Sequence, residues 1–164
     1  VHSGAPCFWG GDAVNVPEFS IHLVSRANAF LLDKVDPDVF DHEVQPELLK
    51  AFLANPANLL FVAVAEGQVV GMASGISYVH PDKPLALFIN EVGVSGRYHR
   101  QGVGRRLVSN LIEKGRELGC TEAWVATELS NKPACALYQA LGGEAAEEHA
   151  VVYVYPLADH PSPC

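Results

Sequence analysis

Four arginines fall within ten positions of the stretch GRYHRQGVGRRL: Arg97, Arg100, Arg105 and Arg106. They are four of the chain's eleven Lys and Arg, in a protein of formal net charge −8. Gly102 and Gly104 sit among them, and an apolar-periodic run follows. A phosphate is held where backbone N–H groups converge with positive potential behind them, and a helix N-terminus supplies both. Glycine lets such a turn fold tightly and keeps side chains out of the anion's way. Gln101-Gly102-Val103-Gly104 meets that need, with Arg97, Arg100 and Arg105 adding charge. The same residues also suit a tight strand-to-helix connection with solvated arginines, and the turn alone leaves both readings open. Two other phosphate loops are excluded. There is no G-x-x-x-x-G-K-[ST], and no G-x-G-x-x-G with an acid ~20 residues on.

The elements that must position this turn follow from hydrophobic spacing. Glu18–Ser25 reads as a first strand and Asn28–Val35 as a short helix. Pro46 opens a helix that stops before Pro56. Leu59–Ala65 and Val69–Val79 are strands joined by a turn at Glu66–Gln68, and Leu85–Val94 is a fourth strand. The glycine turn then opens a helix reaching about Gly119, on which Val103, Leu107, Val108, Leu111 and Ile112 form one apolar stripe. Glu122–Leu129 is a fifth strand, Asn131–Gly142 a helix with Pro133 near its start, and Ala150–Leu157 a last strand. A hairpin between the second and third strands makes that region antiparallel, and a helix between the fourth and fifth implies a parallel crossover. The fold class is mixed α/β rather than a doubly wound nucleotide fold. With 164 residues and no repeat or low-complexity linker, residues 1–164 read as a single domain with its core at about 18–157.

Composition narrows the partners. Residues 1–96 carry eleven acids against four Lys and Arg, so no broad basic face is available for nucleic acid. No apolar run approaches the ~20 residues of a bilayer span, so no membrane partner is expected. The first residues lack a basic region followed by an apolar one, so no signal peptide is expected. Cys7, Cys120, Cys135 and Cys164 match no zinc spacing, and the seven histidines are scattered. No metal is expected, and reduced thiols suit a cytoplasmic protein. The last strand and the HPSPC tail offer an edge on which a homodimer would form.

NEVGVSGRYHRQGVGRRLVSNLI, followed by a strand and then NKPACALY, resembles the two cofactor-binding blocks of the GNAT-type N-acetyltransferases. Order and separation both agree, and the resemblance covers about residues 59–157. It implies a mostly antiparallel sheet flanked by helices, with a splayed parallel pair forming an acetyl-CoA cleft. It also implies that the backbone of Val92, Gly93 and Val94 pairs with the pantetheine arm. The amides of Arg100, Gln101, Gly102, Val103 and Gly104 would hold the pyrophosphate, with Arg105 beside them. Asn131, with Ala134 at its proper offset, would contact the pantetheine or nearby backbone. Tyr138 would protonate the leaving thiolate, a reasonable transfer because the two pKa values lie close together. His99 departs from the family pattern, in which Gln or Arg is usual. A cationic His99 on a phosphate would make CoA affinity weaken modestly, or stay flat, as pH rises.

The acceptor side is read from carboxylates. Glu91 interrupts an apolar strand just before the pantetheine stretch. It is either an outward-facing residue or a base whose pKa burial raises. His80, in a loop between prolines, is a second candidate base. Asp33, Asp36, Asp38, Asp41, Glu43 and Glu47 crowd fifteen positions with Lys34 as the one opposing charge. They form either a solvated face or a rim for a small cationic amine. DVFDHEV, SYVHPDKP and INEVGVSGRYHRQGVG look like the aminoglycoside 3-N-acetyltransferase branch. That resemblance implies an acceptor site drawing on Asp36, Asp41, Tyr78, His80 and Glu91. It also implies direct acetyl transfer in a ternary complex. Acetylation of a polyamine, amino acid or protein amine, and a non-catalytic acyl-CoA-binding module, are the alternatives.

Overall fold

A computed structural model describes residues 18–147 and 150–157. The expectations placed on the first seventeen residues, on Cys7 and on the tail with Cys164 lie outside them. Five strands form one sheet in the order β1 (Ser20–Leu23), β2 (Asn58–Ala65), β3 (Gln68–His80), β4 (Lys83–Val94) and β5 (Glu122–Trp124). The first three pairings are antiparallel, and β4 with β5 is parallel. The helices are α1 (Pro46–Ala54), α2 (Val103–Glu117) and α3 (Lys132–Ala140). The expected helix at 28–35 is instead a 3-10 turn, Ala29–Asp33.

Strand alternation divides the interior into two layers. Leu59, Phe61, Ala63, Ala73, Leu87 and Ile89 point to one face and pack with Val103, Leu107, Val108 and Leu111 of α2. Leu60, Val62, Val69 and Met72 point to the other, against Leu32 and Val39. Both faces of β2 are therefore covered, which is why its sequence is continuously apolar rather than alternating. Glu66 and Gly67, both at positive φ, close the β2–β3 hairpin.

Two expected strands are shortened or missing. β5 ends at Trp124 rather than Leu129, because its ladder covers only Ala86–Phe88 of β4 and the two strands then part. Residues 150–157 are not a strand. They have no ladder partner among the described residues, and Val151, Val152, Tyr153, Val154, Tyr155 and Leu157 are exposed. Their β-branched and aromatic composition favours a strand, but propensity needs a neighbouring edge to satisfy it.

Candidate functional site

β4 carries a bulge where the site begins. Ser74 pairs with Glu91 while its neighbour Gly75 pairs with Ile89, so Asn90 has no opposite residue. The extra residue switches which side chains share a face. Leu87 and Ile89 point into the α2 layer before the bulge, and Val92 and Val94 pack there after it. Phe88, Glu91 and Gly93 therefore share the opposite face, where the acidic loop lies.

Gly93 is occupied by that loop. A Cβ built on it would stand 2.2 Å from the carbonyl oxygen of Val39. Its own backbone faces β3, since its carbonyl lies beside Gly71, and the next-but-one amide, Ser95 N–H, donates to Val70 O at 2.9 Å. Alternation then turns the backbone groups of Val92 and Val94 toward the edge that β5 has left open. Val92, and the amide of Val94, whose carbonyl is taken by His99, thus offer groups to an added strand. Gly93 does not, because its backbone serves the β3 ladder and its missing side chain admits Val39.

The glycine turn has the geometry of an anion site. Arg100 (φ 60°) and Gly102 (φ 81°) both adopt left-handed backbone. Gly102 caps α2, and the first ladder bond runs from Arg106 N–H to Gly102 O at 3.0 Å. The amides of Val103, Gly104 and Arg105 consequently have no acceptor within the helix. The space around Gly102 is open, whereas a Cβ on Gly104 would meet Leu137 and Val94 at 3.5 and 3.7 Å, ordinary contacts. Two side chains brace the turn: Gln101 Nε2 donates to Arg97 O at 2.8 Å, and His99 Nε2 to Val94 O at 2.8 Å. One of the two ring nitrogens of His99 is thus engaged with a carbonyl.

The four arginines are divided between tasks. Arg97 Nη2 bonds Asp36 Oδ2 at 3.0 Å, and Arg106 lies 4.5 Å over the Phe19 ring. Arg100 and Arg105 make no ion pair among the described residues. The positive potential available to a ligand therefore comes from two arginines, not from Arg97. Asp36 is buried, and its expected acceptor contact is not possible from there. Burial pushes its carboxyl up, but the Asp38 amide and the Arg97 guanidinium outweigh that and hold it below the ordinary carboxylate value.

α3 packs beside the start of α2, on the α2 side of the sheet. Asn131 Oδ1 accepts from Ala134 N–H at 3.3 Å, so this side chain caps the helix through nearby backbone. Leu137 seats α3 beside Gly104, and Tyr138 one residue on is half-buried. Burial, followed by the neighbouring Cys135, pushes the Tyr138 phenol above its usual value. It is a protonated hydroxyl at neutral pH.

Glu91 is exposed rather than buried, yet its pKa is raised, first by partial desolvation and then by the charge of Asp41. Glu91 and Asp41 are brought together on one face. Tyr78 shares it, opposite Ala86. His80 does not belong with them. It sits at the β3–β4 hairpin paired with Lys83 and bonded to Asp82, and Lys83 is about 25 Å along β4 from Glu91. Val39 and Trp124 were not marked as site residues. The two apolar anchors inside an acidic loop, Val39 and Phe40, were the available signal for the first.

These features define a mixed α/β protein with a glycine turn of unpaired helix-start amides beside a splayed strand pair. Residues 27–142 match the model of the acetyltransferase (GNAT) family. The chain is 31% identical over 125 residues to N-alpha-acetyltransferase RimI of Mycobacterium tuberculosis, covering 75% of this chain and 77% of that protein. It is 30% identical over 99 residues to human N-acetyltransferase 8, covering 58% of this chain and 43% of that protein. It thus spans about half the length of the N-acetyltransferase 8 relatives it matches. Among solved structures, an aminoglycoside acetyltransferase from an uncultured soil metagenomic sample, in complex with sisomicin, superposes with TM-score 0.69. It is 20% identical, covering 85% of this chain and 97% of that one. AAC(6')-Iy in complex with a bisubstrate analogue gives 0.69 at 20% identity, covering 85% and 99%. The chain belongs to the GNAT acetyltransferase family, whose acyl donor is acetyl-CoA. No helix among the described residues is long and apolar enough to cross a membrane, and no group of ligating side chains among them could hold a metal.

Proposed function

We propose that this protein transfers acetyl from acetyl-CoA to an amine of an aminoglycoside, by direct attack in a ternary complex. The observation that carries the reading is the position of Glu91 on β4, just past the bulge and on the face shared with Gly93 and the acidic loop, beyond the point where β4 and β5 part. The turn with free amides and the Tyr138 helix stand on the other side. Acetyl-CoA supplies an acyl thioester. The first-turn amides of α2, with Arg100 and Arg105, would hold its phosphates, and the open edge at Val92 and Val94 its amide-bearing arm.

Glu91 takes the proton that the acceptor ammonium must lose, directly or through one water. The nitrogen lone pair then forms the new C–N bond at the thioester carbonyl. As the C–S bond breaks, the sulfur takes its electron pair and Tyr138 gives it a proton; the new amide nitrogen releases its remaining extra proton to water, and Tyr138 is reprotonated from water. General acid–base help of this kind contributes typically 10²- to 10⁴-fold. Cys135 takes no acetyl group in this reading.

The acidic body supports a cationic acceptor. The structural likeness to proteins solved with sisomicin and with an acetylneamine conjugate suits the same class, at identities that speak for the fold. The sequence relatives favour a second reading, because RimI and an L-2,4-diaminobutyric acid acetyltransferase are named for other amines. A thiol-release assay across aminoglycosides, spermidine, L-2,4-diaminobutyrate and peptides with free N-termini tests the proposal. Turnover of an aminoglycoside at the highest kcat/KM is the expected result. Activity on peptide N-termini alone would discard the aminoglycoside. Acetyl-CoA binding with no turnover of any amine would leave a non-catalytic binding module.

A further inference from the structure

Three aromatic side chains meet where β4 and β5 part. Trp124, the last residue of β5, lies with its ring centroid 4.4 Å from that of Phe88, tilted by 35°. Its indole Nε1–H donates to the Tyr78 hydroxyl at 2.8 Å. Large aromatics are usually sunk into the interior, yet Tyr78 is 38% and Trp124 43% exposed. Packing against the α2 layer does not explain them, because the register turns Tyr78 and Phe88 to the opposite face. That is also the face of Glu91. Only Ile89 and the bulged Asn90 separate Phe88 from Glu91, so the two side chains leave the strand within about 10 Å of each other.

We infer that Tyr78, Phe88 and Trp124 form the stacking platform on which the acceptor's ring lies while Glu91 and Asp41 engage its amine. The inference rests on the acetyltransferase reading and names the shape of its acceptor: a primary amine carried on a sugar or cyclitol ring, not on a linear chain. An aromatic face attracts the C–H groups of such a ring and the charge of its ammonium groups. Tyr78 already accepts the indole N–H, so its own O–H is left to donate to a ring hydroxyl. A linear polyamine would satisfy the carboxylates and leave the platform uncovered.

The full chain is assayed for thiol release from acetyl-CoA with sisomicin, spermidine and cyclohexylamine. Trp124→Ala should raise the KM for sisomicin about tenfold. The KM values for acetyl-CoA and spermidine should stay within about twofold, since neither uses the platform. Trp124→Phe, which keeps a stacking face, should recover most of the loss, and Tyr78→Phe should show a smaller rise. A second measurement does not depend on those variants folding. Trp9→Phe leaves Trp124 as the remaining indole of the two in the sequence. Sisomicin alone should then change its emission in a saturable way, and spermidine should not.

Sisomicin turnover unchanged in Trp124→Ala, with silent emission, overturns the platform and leaves the aminoglycoside reading standing. No turnover of any aminoglycoside, with cyclohexylamine turnover dependent on Trp124, sinks that reading and supports the platform. No Trp124 dependence for any amine overturns it. So does a dimer that Trp124→Ala converts to monomer, because a second copy would then cover the aromatic face.

Discussion

In the proposed reaction Glu91 and Tyr138 divide the proton chemistry, and their surroundings push both pKa values upward from different starting points. Glu91 starts as an ordinary carboxylate and is raised by desolvation and then by Asp41. A base works in its ionised form, so kcat/KM should climb with pH as Glu91 deprotonates, at a higher pH than an unperturbed glutamate would. Glu91→Gln should lower kcat/KM by about 10²- to 10⁴-fold and remove that rising limb. Equal pH profiles for the two proteins would assign the base elsewhere. Tyr138→Phe should lower kcat by about 10²-fold with little change in the KM for acetyl-CoA, because the proton is needed as the thiolate leaves. Their neighbours in sequence single out Glu91 and Tyr138 as candidates, and these two variants test them. Asp36 was misread for a physical reason. Six acids in fifteen positions look alike on paper, and only folding shows that Arg97 lies 61 positions away in sequence and 3.0 Å away in space.

At the scale of elements, the loop after the 3-10 turn is docked onto β4 by two contacts. The Val39 carbonyl sits against Gly93, and Asp36 grips Arg97 at the start of the anion turn. The loop that carries Asp41 is thereby tied to the element that would hold the donor's phosphates. Gly93→Ala sets a Cβ against backbone that has no flexible end to move. It should cost about 1–3 kcal/mol, read as a lower urea midpoint, and should raise the acceptor KM through displacement of the loop. The Asp36 contact has its own pH signature. Its folded pKa lies below the unfolded value, so its stabilisation is complete above about pH 4 and lost as pH falls through the lower folded value. Asp36→Asn should flatten that part of the acid-unfolding curve, whereas an unaltered curve would show that the pair does not hold the loop. The helices were readable from Pro46, the Gly102–Gly104 turn and Pro133. The β4 bulge was not, because an unpaired residue is defined by its partner strand.

For the whole molecule, an acidic body with two uncommitted arginines at one turn predicts opposite charges for its two ligands. Both sites are open to solvent, and the screening length falls from about 10 Å at 0.1 M salt to about 3 Å at 1 M. Raising salt should therefore increase the KM of acetyl-CoA several-fold. Replacing both Arg100 and Arg105 by Ala should raise that KM at low salt and abolish most of its salt dependence. A salt response unchanged in the double variant would move the phosphate site off this turn.

The sequence by itself determined the periodicity of the sheet and helices, the turn able to hold an anion, and the two blocks that point to the family. Those properties are local, set by residues within a few positions of one another. Tertiary structure decided which arginines remain available, which face Glu91 shares, and why Gly93 must be glycine. It also decided that residues 150–157, for all their strand composition, lie outside the sheet. Each of those depends on a partner distant in the chain. A backbone edge, a carbonyl or a counter-charge is brought close only when the whole core forms.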